Sequence, residues 1–333
     1  MTIPNKKKIP LHNKKFCSFS RHAKISTAGI PEVFRGLEFS HNAENEQNKK
    51  LCKGIIGFIG AGNMGEAMIK AVINSDIAEP SSIYIYDPDP LRLNNFEQNN
   101  INIASGNKDL FDKSNIIIIA VKPASVQKVL NQITESNYFT NPKSEKKLII
   151  SIAAGITIKT IENTLYKNLS EQNAANLPII RVMPNTPAII SAGISGISPN
   201  LHTTYEDIKI AKTIFTAMGE VLEFEEKYIN PITALSGSGP AYLFYLAESM
   251  IEAGIAIGFD PSDAVKLTTA TLKGAVKLIE SSDLPVEKLR EKVTSPKGTT
   301  EAAVNILDKN RVKENIIAAI IAANKRAKEL SGI

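Results

Sequence analysis

The sequence predicts an α/β fold in which a doubly wound parallel sheet is followed by an all-helical domain. Between residues 54 and 226, short apolar runs rich in isoleucine and valine alternate with segments of helical periodicity. This alternation is typical of a parallel sheet that helices cover on both faces. After residue 226 the chain has long helical patterns and no convincing strand. We therefore predict a sheet domain over residues 53–226 and a helical domain over residues 227–333.

The strands of the sheet domain are predicted from continuous β-branched runs. In chain order these runs are residues 55–59, 82–86, 115–121, 148–153, 179–182 and 219–224. Helical patterns lie between the strands, at residues 64–73, 91–98, 124–133 and 157–167. We expect the run at 219–224 to close the sheet.

Helices of the second domain are predicted to begin at Ala241, Pro261, Val286 and Thr299. Pro261 follows Asp260, so the second helix has a cap residue and a proline at its first position. Residues 241–256, AYLFYLAESMIEAGIA, are apolar around much of the helix circumference. A helical segment of about 100 residues has few internal partners for such a surface. We therefore expect a dimerisation domain and a homodimer, with a higher oligomer as a further possibility.

Composition and charge exclude several classes of protein. The net charge is +5, but residues 1–50 carry ten Lys/Arg and four Asp/Glu, which leaves 29 basic and 30 acidic residues elsewhere. A near-neutral remainder predicts no nucleic-acid partner. No apolar run approaches the roughly 18 residues of a membrane helix, so no membrane association is expected. Cys17 and Cys52 are the only cysteines, and without ligand spacing they predict no metal site.

Residues 1–52 are predicted to form a basic, disordered leader. Up to Pro31 this segment has seven basic residues and no acidic one, which also suits an organelle transit peptide. Against that interpretation, Pro4 and Pro10 would interrupt an amphipathic helix. We therefore expect a cytoplasmic protein, with a mitochondrial or other organellar location as the alternative.

The stretch GFIGAGNMGEAM, residues 57–68, places three glycines between a predicted strand and a predicted helix. Gly60 permits a tight turn, Gly62 lets a pyrophosphate approach the backbone, and Gly65 lets helix and strand pack closely. The N-terminus of the helix presents free N–H groups to the phosphates. The motif predicts a Rossmann-type dinucleotide site that includes Gly60, Ala61, Gly62, Asn63, Met64 and Gly65.

Asp87 stands 22 residues after Gly65, at the end of the second predicted strand. A carboxylate there accepts hydrogen bonds from the adenosine ribose hydroxyls and repels a 2′-phosphate, which favours NADH. Arg92, five residues further on, would offset this repulsion and admit NADPH. The predicted cofactor is therefore NADPH or NADH, with NADH favoured.

Five further segments carry polar or glycine-rich motifs. These are AVKP (120–123), AAGIT (153–157), RVMPNTP (181–187), LSGSGPAY (235–242) and VTSPKGTT (293–300). The first three follow predicted strands, at the edge where open α/β sheets bind ligands. Together with the glycine loop, the segments resemble the pyrroline-5-carboxylate reductase family from residue 54 to about residue 330.

The resemblance implies the reaction and its substrate. Hydride would pass from C4 of the nicotinamide to the C=N carbon of 1-pyrroline-5-carboxylate and give L-proline, the last step of proline biosynthesis. Such a reaction needs little from the protein beyond positioning, a holder for the substrate carboxylate and help with one proton.

The resemblance also implies which residues form the site. The loop of residues 295–300 would hold the substrate carboxylate through Ser295, Gly298, Thr299 and Thr300. Thr300 would be the catalytic residue, with its hydroxyl near the imine nitrogen. The cofactor would be lined by Ala120, Val121, Lys122, Pro123, Met183 and Asn185.

Lys297 is a departure from the family, which usually has glycine at that position. If the backbone there needs a positive φ, lysine costs about 1 kcal/mol relative to glycine. Its side chain would either pair with a carboxylate or phosphate, or project into solvent.

Three other functions are weighed against this one. Reduction of another cyclic imine is compatible with every motif. A β-hydroxyacid dehydrogenase relative needs a catalytic lysine on the helix after the sheet domain, and residues 241–254 contain none. A nucleotide-sensing regulatory protein would show a broken glycine motif or a lost Thr300, and both are intact.

Overall fold

An eight-stranded sheet forms the first part of the structure. The computed structural model describes residues 54–97, 99–141 and 144–332, so the leader predicted over residues 1–52 lies outside the described residues. The strands are β1 (Ile56–Ile59), β2 (Ile83–Tyr86), β3 (Asn102–Ile103), β4 (Ile116–Ile119), β5 (Leu148–Ser151), β6 (Ile179–Met183), β7 (Gly193–Pro199) and β8 (Gly219–Glu223).

The strand order is β3-β2-β1-β4-β5-β6-β7-β8. Neighbouring strands are parallel except for β6 and β7, which are antiparallel. Chain order reverses between β1 and β4, and this is the switch point at which open α/β sheets form their ligand crevice. The predicted doubly wound sheet is therefore confirmed, with the last two strands, β7 and β8, running against the other six.

Helices alternate with these strands and then follow them. The helices of the sheet region are α1 (Asn63–Asn74), α2 (Pro90–Glu97), α3 (Asn107–Lys113), α4 (Pro123–Ile133), α5 (Ile158–Leu165), α6 (Glu171–Ala175) and α7 (Tyr205–Thr216). The helical region contains α8 (Ile229–Ile232), a π-helical turn (Thr233–Gly237), α9 (Gly239–Ala256), α10 (Pro261–Glu280), α11 (Val286–Lys292), α12 (Thr299–Lys309) and α13 (Val312–Leu330).

The core lies on both faces of the sheet. Ile116 and Ile118 of β4 pack into the cluster under α1 and α7, whereas Ile117 and Ile119 pack into the cluster under α3, α4 and α5. Because successive side chains of a strand alternate between the faces, a strand covered on both sides must be apolar throughout. This requirement explains the unbroken isoleucine run in the sequence.

The predicted strands are all present, with ends that differ by one or two residues. The sequence reasoning missed β3, β7, α3, α6, α7 and α8. β3 has only two residues, and β7, GISGISP, contains two glycines and ends in proline. The helix predicted from Ala241 begins at Gly239, and α13 was not separately predicted.

An ion pair between a buried arginine and a partly exposed glutamate joins the sheet to the helical region. Arg181 of β6 is 2% exposed, and its guanidinium donates to Glu226 Oε1 at 3.0 Å and to Asn230 Oδ1 at 3.0 Å. Glu226 Oε1 also accepts the N–H of Ile158 at 2.7 Å, and Ser331 donates to Asn230 Oδ1 at 2.9 Å. Burial lowers the pKa of Arg181, and Glu226 opposes that shift. The pair thus ties β6, α5, α8 and the chain end together.

Candidate active site

A cleft of about 830 Å³ opens at the carboxyl ends of the strands that flank the switch point. Its wall contains most of the predicted cofactor residues, namely Gly60, Gly62, Asn63, Met64, Asp87, Ala120, Val121, Lys122, Pro123 and Met183. Ala61, Gly65 and Asn185 do not line it. The structure therefore gathers into one cleft motifs that lie up to about 120 residues apart in the sequence.

The glycine loop has the geometry that its sequence predicts. Gly60 has φ +101°, a conformation that L side chains rarely adopt. A Cβ added to Gly65 would lie 2.2 Å from the carbonyl oxygen of Gly60, so α1 can begin this close to β1 only with glycine there. The free N–H groups at the start of α1 consequently lie along the cleft.

Asp87 supports the glycine loop from the end of β2. The carboxyl group is 7% exposed; Oδ2 accepts the N–H of Ala61 at 2.9 Å and Oδ1 accepts the N–H of Asp89 at 2.9 Å. This contact gives Ala61 a structural place in the site although it does not line the cleft. Asp87 therefore fixes the loop and also contributes its charge to the cleft wall.

Cations surround this end of the cleft. Arg92 Nη1 lies 3.6 Å from Asp87 Oδ2, and Arg92 Nε lies 3.5 Å from Asp89 Oδ2. Lys122 and Lys128 also line the cleft. Three cations against two carboxylates, together with the N-terminus of α1, favour an anionic ligand such as a pyrophosphate.

Asn107 and Gln132 belong to the cleft but were missed by the sequence reasoning. Asn107 Nδ2 donates to Gln132 Oε1 at 2.6 Å, while the buried Asn107 Oδ1 has no hydrogen-bond partner among the described residues. A buried acceptor without a donor costs about 1–3 kcal/mol and is expected to meet a ligand or water. No local sequence signal identifies the pair, because the residues stand on α3 and α4, 25 positions apart.

The opposite end of the cleft is apolar. Ile152, Ala153 and Ala154 after β5 and Met183 and Pro184 at the end of β6 line it. Asn185, in contrast, uses its side-chain oxygen to accept the N–H of Ile194 at 3.0 Å. Its side chain therefore links β7 to the segment after β6.

The loop of residues 295–300 does not line the cleft of its own chain. The N–H of Gly298 donates to the carbonyl of Ser295 at 3.0 Å, and α12 begins at Thr299. The N–H groups of Thr299 and Thr300 belong to the first helical turn and have no intrahelical acceptor. The loop thus offers an anion two donors, whereas the N–H of Gly298 is already bonded.

Lys297 adopts the left-handed conformation, with φ +60°. Its N–H donates to Glu301 Oε2 at 2.8 Å. The condition under which lysine is strained relative to glycine is therefore met in this loop.

The helical region has a large apolar surface that the other described residues leave exposed. α9 has no buried residue, and Phe244 and Tyr245 are 66% and 73% exposed. Continuous apolar surface of this kind marks a contact with another protein.

None of the described helices combines the length and apolar character that crossing a bilayer requires. Within the described part of the chain, no cluster of three or more His, Cys, Asp or Glu could hold a metal ion.

Two family models match the chain. Residues 226–330 match the model described as pyrroline-5-carboxylate reductase dimerisation, and residues 55–155 match the model described as NADP oxidoreductase, coenzyme F420-dependent. The first model covers the uncovered helices, and the second covers the glycine loop and the AVKP segment.

Curated relatives match over nearly their whole length. The pyrroline-5-carboxylate reductase of Methanosarcina acetivorans is 34% identical over 276 residues, 83% of this chain and 97% of the relative. The Escherichia coli enzyme of the same name is 34% identical over 277 residues, 83% of this chain and 98% of the relative.

A solved structure agrees with these relatives. Plasmodium falciparum pyrroline carboxylate reductase with NADP bound is 32% identical, with a TM-score of 0.73 over 84% of this chain and 98% of that chain. From these matches and from the site geometry, the chain belongs to the pyrroline-5-carboxylate reductase family.

Proposed function

We propose that the cleft binds NADH or NADPH and that the protein uses it to reduce the C=N bond of 1-pyrroline-5-carboxylate, which gives L-proline. The observation that carries this proposal is the cleft itself. Its wall joins the glycine loop, the buried Asp87 and the AVKP segment around one space. A pyrophosphate fits against the N-terminus of α1, and the apolar end at Met183 fits the nicotinamide ring.

The chemistry divides simply between cofactor and protein. The bound cofactor supplies the hydride, which adds to the ring carbon of the C=N bond while the nitrogen carries a proton. The first-turn N–H groups of Thr299 and Thr300 hold the substrate carboxylate. The hydroxyl of Thr300 hydrogen-bonds the imine nitrogen and orients it. A hydroxyl is a poor acid, so the substrate is protonated before hydride transfer or through water.

The working enzyme is proposed to be a homodimer in which one subunit completes the cleft of the other. Two observations support this arrangement. The loop of residues 295–300 does not line the cleft of its own chain, and the described residues leave the apolar face of α9 exposed. A second copy would cover α9 and bring a loop to the cleft.

Coenzyme preference is proposed to favour NADH. Arg92 is already held between the carboxylates of Asp87 and Asp89, at 3.6 and 3.5 Å. The three side chains together carry one net negative charge, which repels a 2′-phosphate. The unsatisfied Asn107 Oδ1 is proposed to accept a hydrogen bond from the adenine amino group.

The experiment that tests this function is an initial-rate assay with DL-pyrroline-5-carboxylate and either coenzyme. We expect turnover by the wild type and a loss on the order of a hundred-fold in kcat/KM for Thr300→Ala. The matched control is Thr294→Ala, because the Thr294 hydroxyl donates to the carbonyl of Arg290 at 2.7 Å and lies just outside the loop. Absence of turnover with both coenzymes, or equal losses in the two variants, would contradict the proposal.

A further inference from the structure

The first three residues of the LSGSG segment, 235–237, belong to the π-helical turn (Thr233–Gly237) between α8 and α9. The N–H of Ser238 donates to the carbonyl of Thr233, five residues earlier, at 2.8 Å. The hydroxyl of Tyr242 donates to the carbonyl of Ala234 at 2.9 Å and holds the turn in place. Such turns are rare and occur frequently at functional sites. This one packs against the end of β6, where Met183 lines the apolar end of the cleft.

Gly237 is the point of contact between the turn and Met183. A Cβ added to Gly237 would lie 2.8 Å from Met183 Cε. The next nearest described atoms, Thr233 Cγ2 at 3.8 Å and the Ile232 carbonyl oxygen at 3.9 Å, would be in ordinary van der Waals contact. Gly237 is not among the residues with a positive φ. Glycine is therefore needed here for space and not for backbone conformation.

The obstacle to a side chain at Gly237 is the flexible end of methionine. A methionine thioether has three rotatable bonds and can move where a backbone atom cannot. A methyl group at Gly237 is thus expected to leave the fold intact and to displace the Met183 side chain. Because Met183 is partly exposed and borders the cleft, the space open to it is the cleft itself.

We propose that Gly237 is a positioning residue, which keeps the Met183 side chain out of the space required by the nicotinamide ring. The inference rests on the proposed function, since it places the nicotinamide beside Met183. It assigns to the SGSG motif a task beyond packing: the π turn sets the depth of the cleft at the point of hydride transfer. Small misplacements there have large effects on rate.

The test is a double-mutant cycle with Gly237→Ala and Met183→Ala. We expect Gly237→Ala to lower kcat on the order of ten-fold and to raise the Kd for NADH, measured by fluorescence titration. In the Met183→Ala background the same substitution should change kcat by less than about two-fold, because the obstructing thioether is gone. Thermal melting and size-exclusion chromatography should show the wild-type fold and assembly in all variants.

Gly239→Ala is the matched control, because among the described residues a Cβ there meets no atom within 4 Å beyond its own helix and its chain neighbours. At the same oligomeric state it should leave the Kd for NADH unchanged. Wild-type kcat in Gly237→Ala, or an equal loss in both backgrounds, would overturn the inference. If Met183→Ala alone left kcat and the NADH affinity unchanged, the placement of the nicotinamide in the proposed function would itself be wrong.

Discussion

Replacing Glu226 by alanine should destabilise the protein more than replacing its partner Arg181 by methionine. The two side chains form one ion pair at 3.0 Å, but Arg181 is 2% exposed and Glu226 is 32% exposed. Loss of the carboxylate leaves a guanidinium buried without a counter-charge. Loss of the guanidinium leaves a carboxylate that still reaches water.

The magnitude follows from the partners that remain. Glu226→Ala strands a buried charge, which costs about 3–5 kcal/mol, and removes the acceptor of the Ile158 N–H, which adds about 1 kcal/mol. Arg181→Met removes the hydrogen bonds to Glu226 and to Asn230 and fills the space with an apolar side chain. The net cost in the free energy of unfolding is about 1–2 kcal/mol. Asn230 Oδ1 keeps the hydrogen bond from Ser331. The expected difference is therefore at least about 2 kcal/mol.

The assay is urea unfolding followed by far-UV circular dichroism, at one fixed protein concentration because assembly contributes to stability. Glu225→Ala is the control: its carboxylate pairs with Lys227 at the surface and is 71% exposed. That variant should stay within about 0.5 kcal/mol of the wild type. The reasoning is refuted if Arg181→Met proves as destabilising as Glu226→Ala.

Three other predictions concern the loop, the coenzyme and the assembly. Lys297→Gly should raise the free energy of unfolding by up to about 1 kcal/mol, since glycine adopts φ +60° without strain; a lower urea midpoint would contradict this. Asp89→Asn should shift the ratio of kcat/KM values toward NADPH several-fold, because it removes a negative charge beside Arg92, and an unchanged ratio would place the 2′-phosphate elsewhere. Specific activity should fall on dilution as the dimer dissociates, which activity assays paired with light scattering would detect; constant activity of a demonstrated monomer would argue against a shared site.

The parts of the fold that sequence could predict are those whose environment leaves a local signature. β4 is buried on both faces, so its isoleucine run had to be continuous. The glycine loop was predicted for a similar reason, because Gly60 and Gly65 meet steric demands that only glycine satisfies. β7 has no such signature. Glycine is required at Gly193 because Ala188 packs against it, and at Gly196 because Ile232 packs against it, and these contacts exist only after folding.

In the candidate site, too, only residues with a local sequence signal could be predicted. Residues at strand ends, such as Asp87 and Lys122, were found because the carboxyl edge of a parallel sheet follows from the strand pattern. Asn107 was not predicted, because its helix has only seven residues and gives a weak periodic pattern. The feature that singles it out, a buried Oδ1 without a hydrogen-bond donor among the described residues, exists only in the folded structure. Asn185 was placed on the cofactor by its motif, yet the structure gives its oxygen to the N–H of Ile194.

The backbone conformation at Lys297 could be predicted from the sequence only as a condition. If φ is positive at this position, lysine lowers the stability of the loop relative to glycine. The structure meets the condition, with φ +60° at Lys297. The bond from the Lys297 N–H to Glu301 Oε2 uses a backbone donor that glycine also has, so it leaves the cost of the lysine side chain in place. Glu301 stands in the first turn of α12, where a carboxylate is stabilised by the helix dipole. Because Glu301 directly follows Thr300 in that turn, its bond to the Lys297 backbone holds the loop against the start of the helix that carries the proposed anion donors.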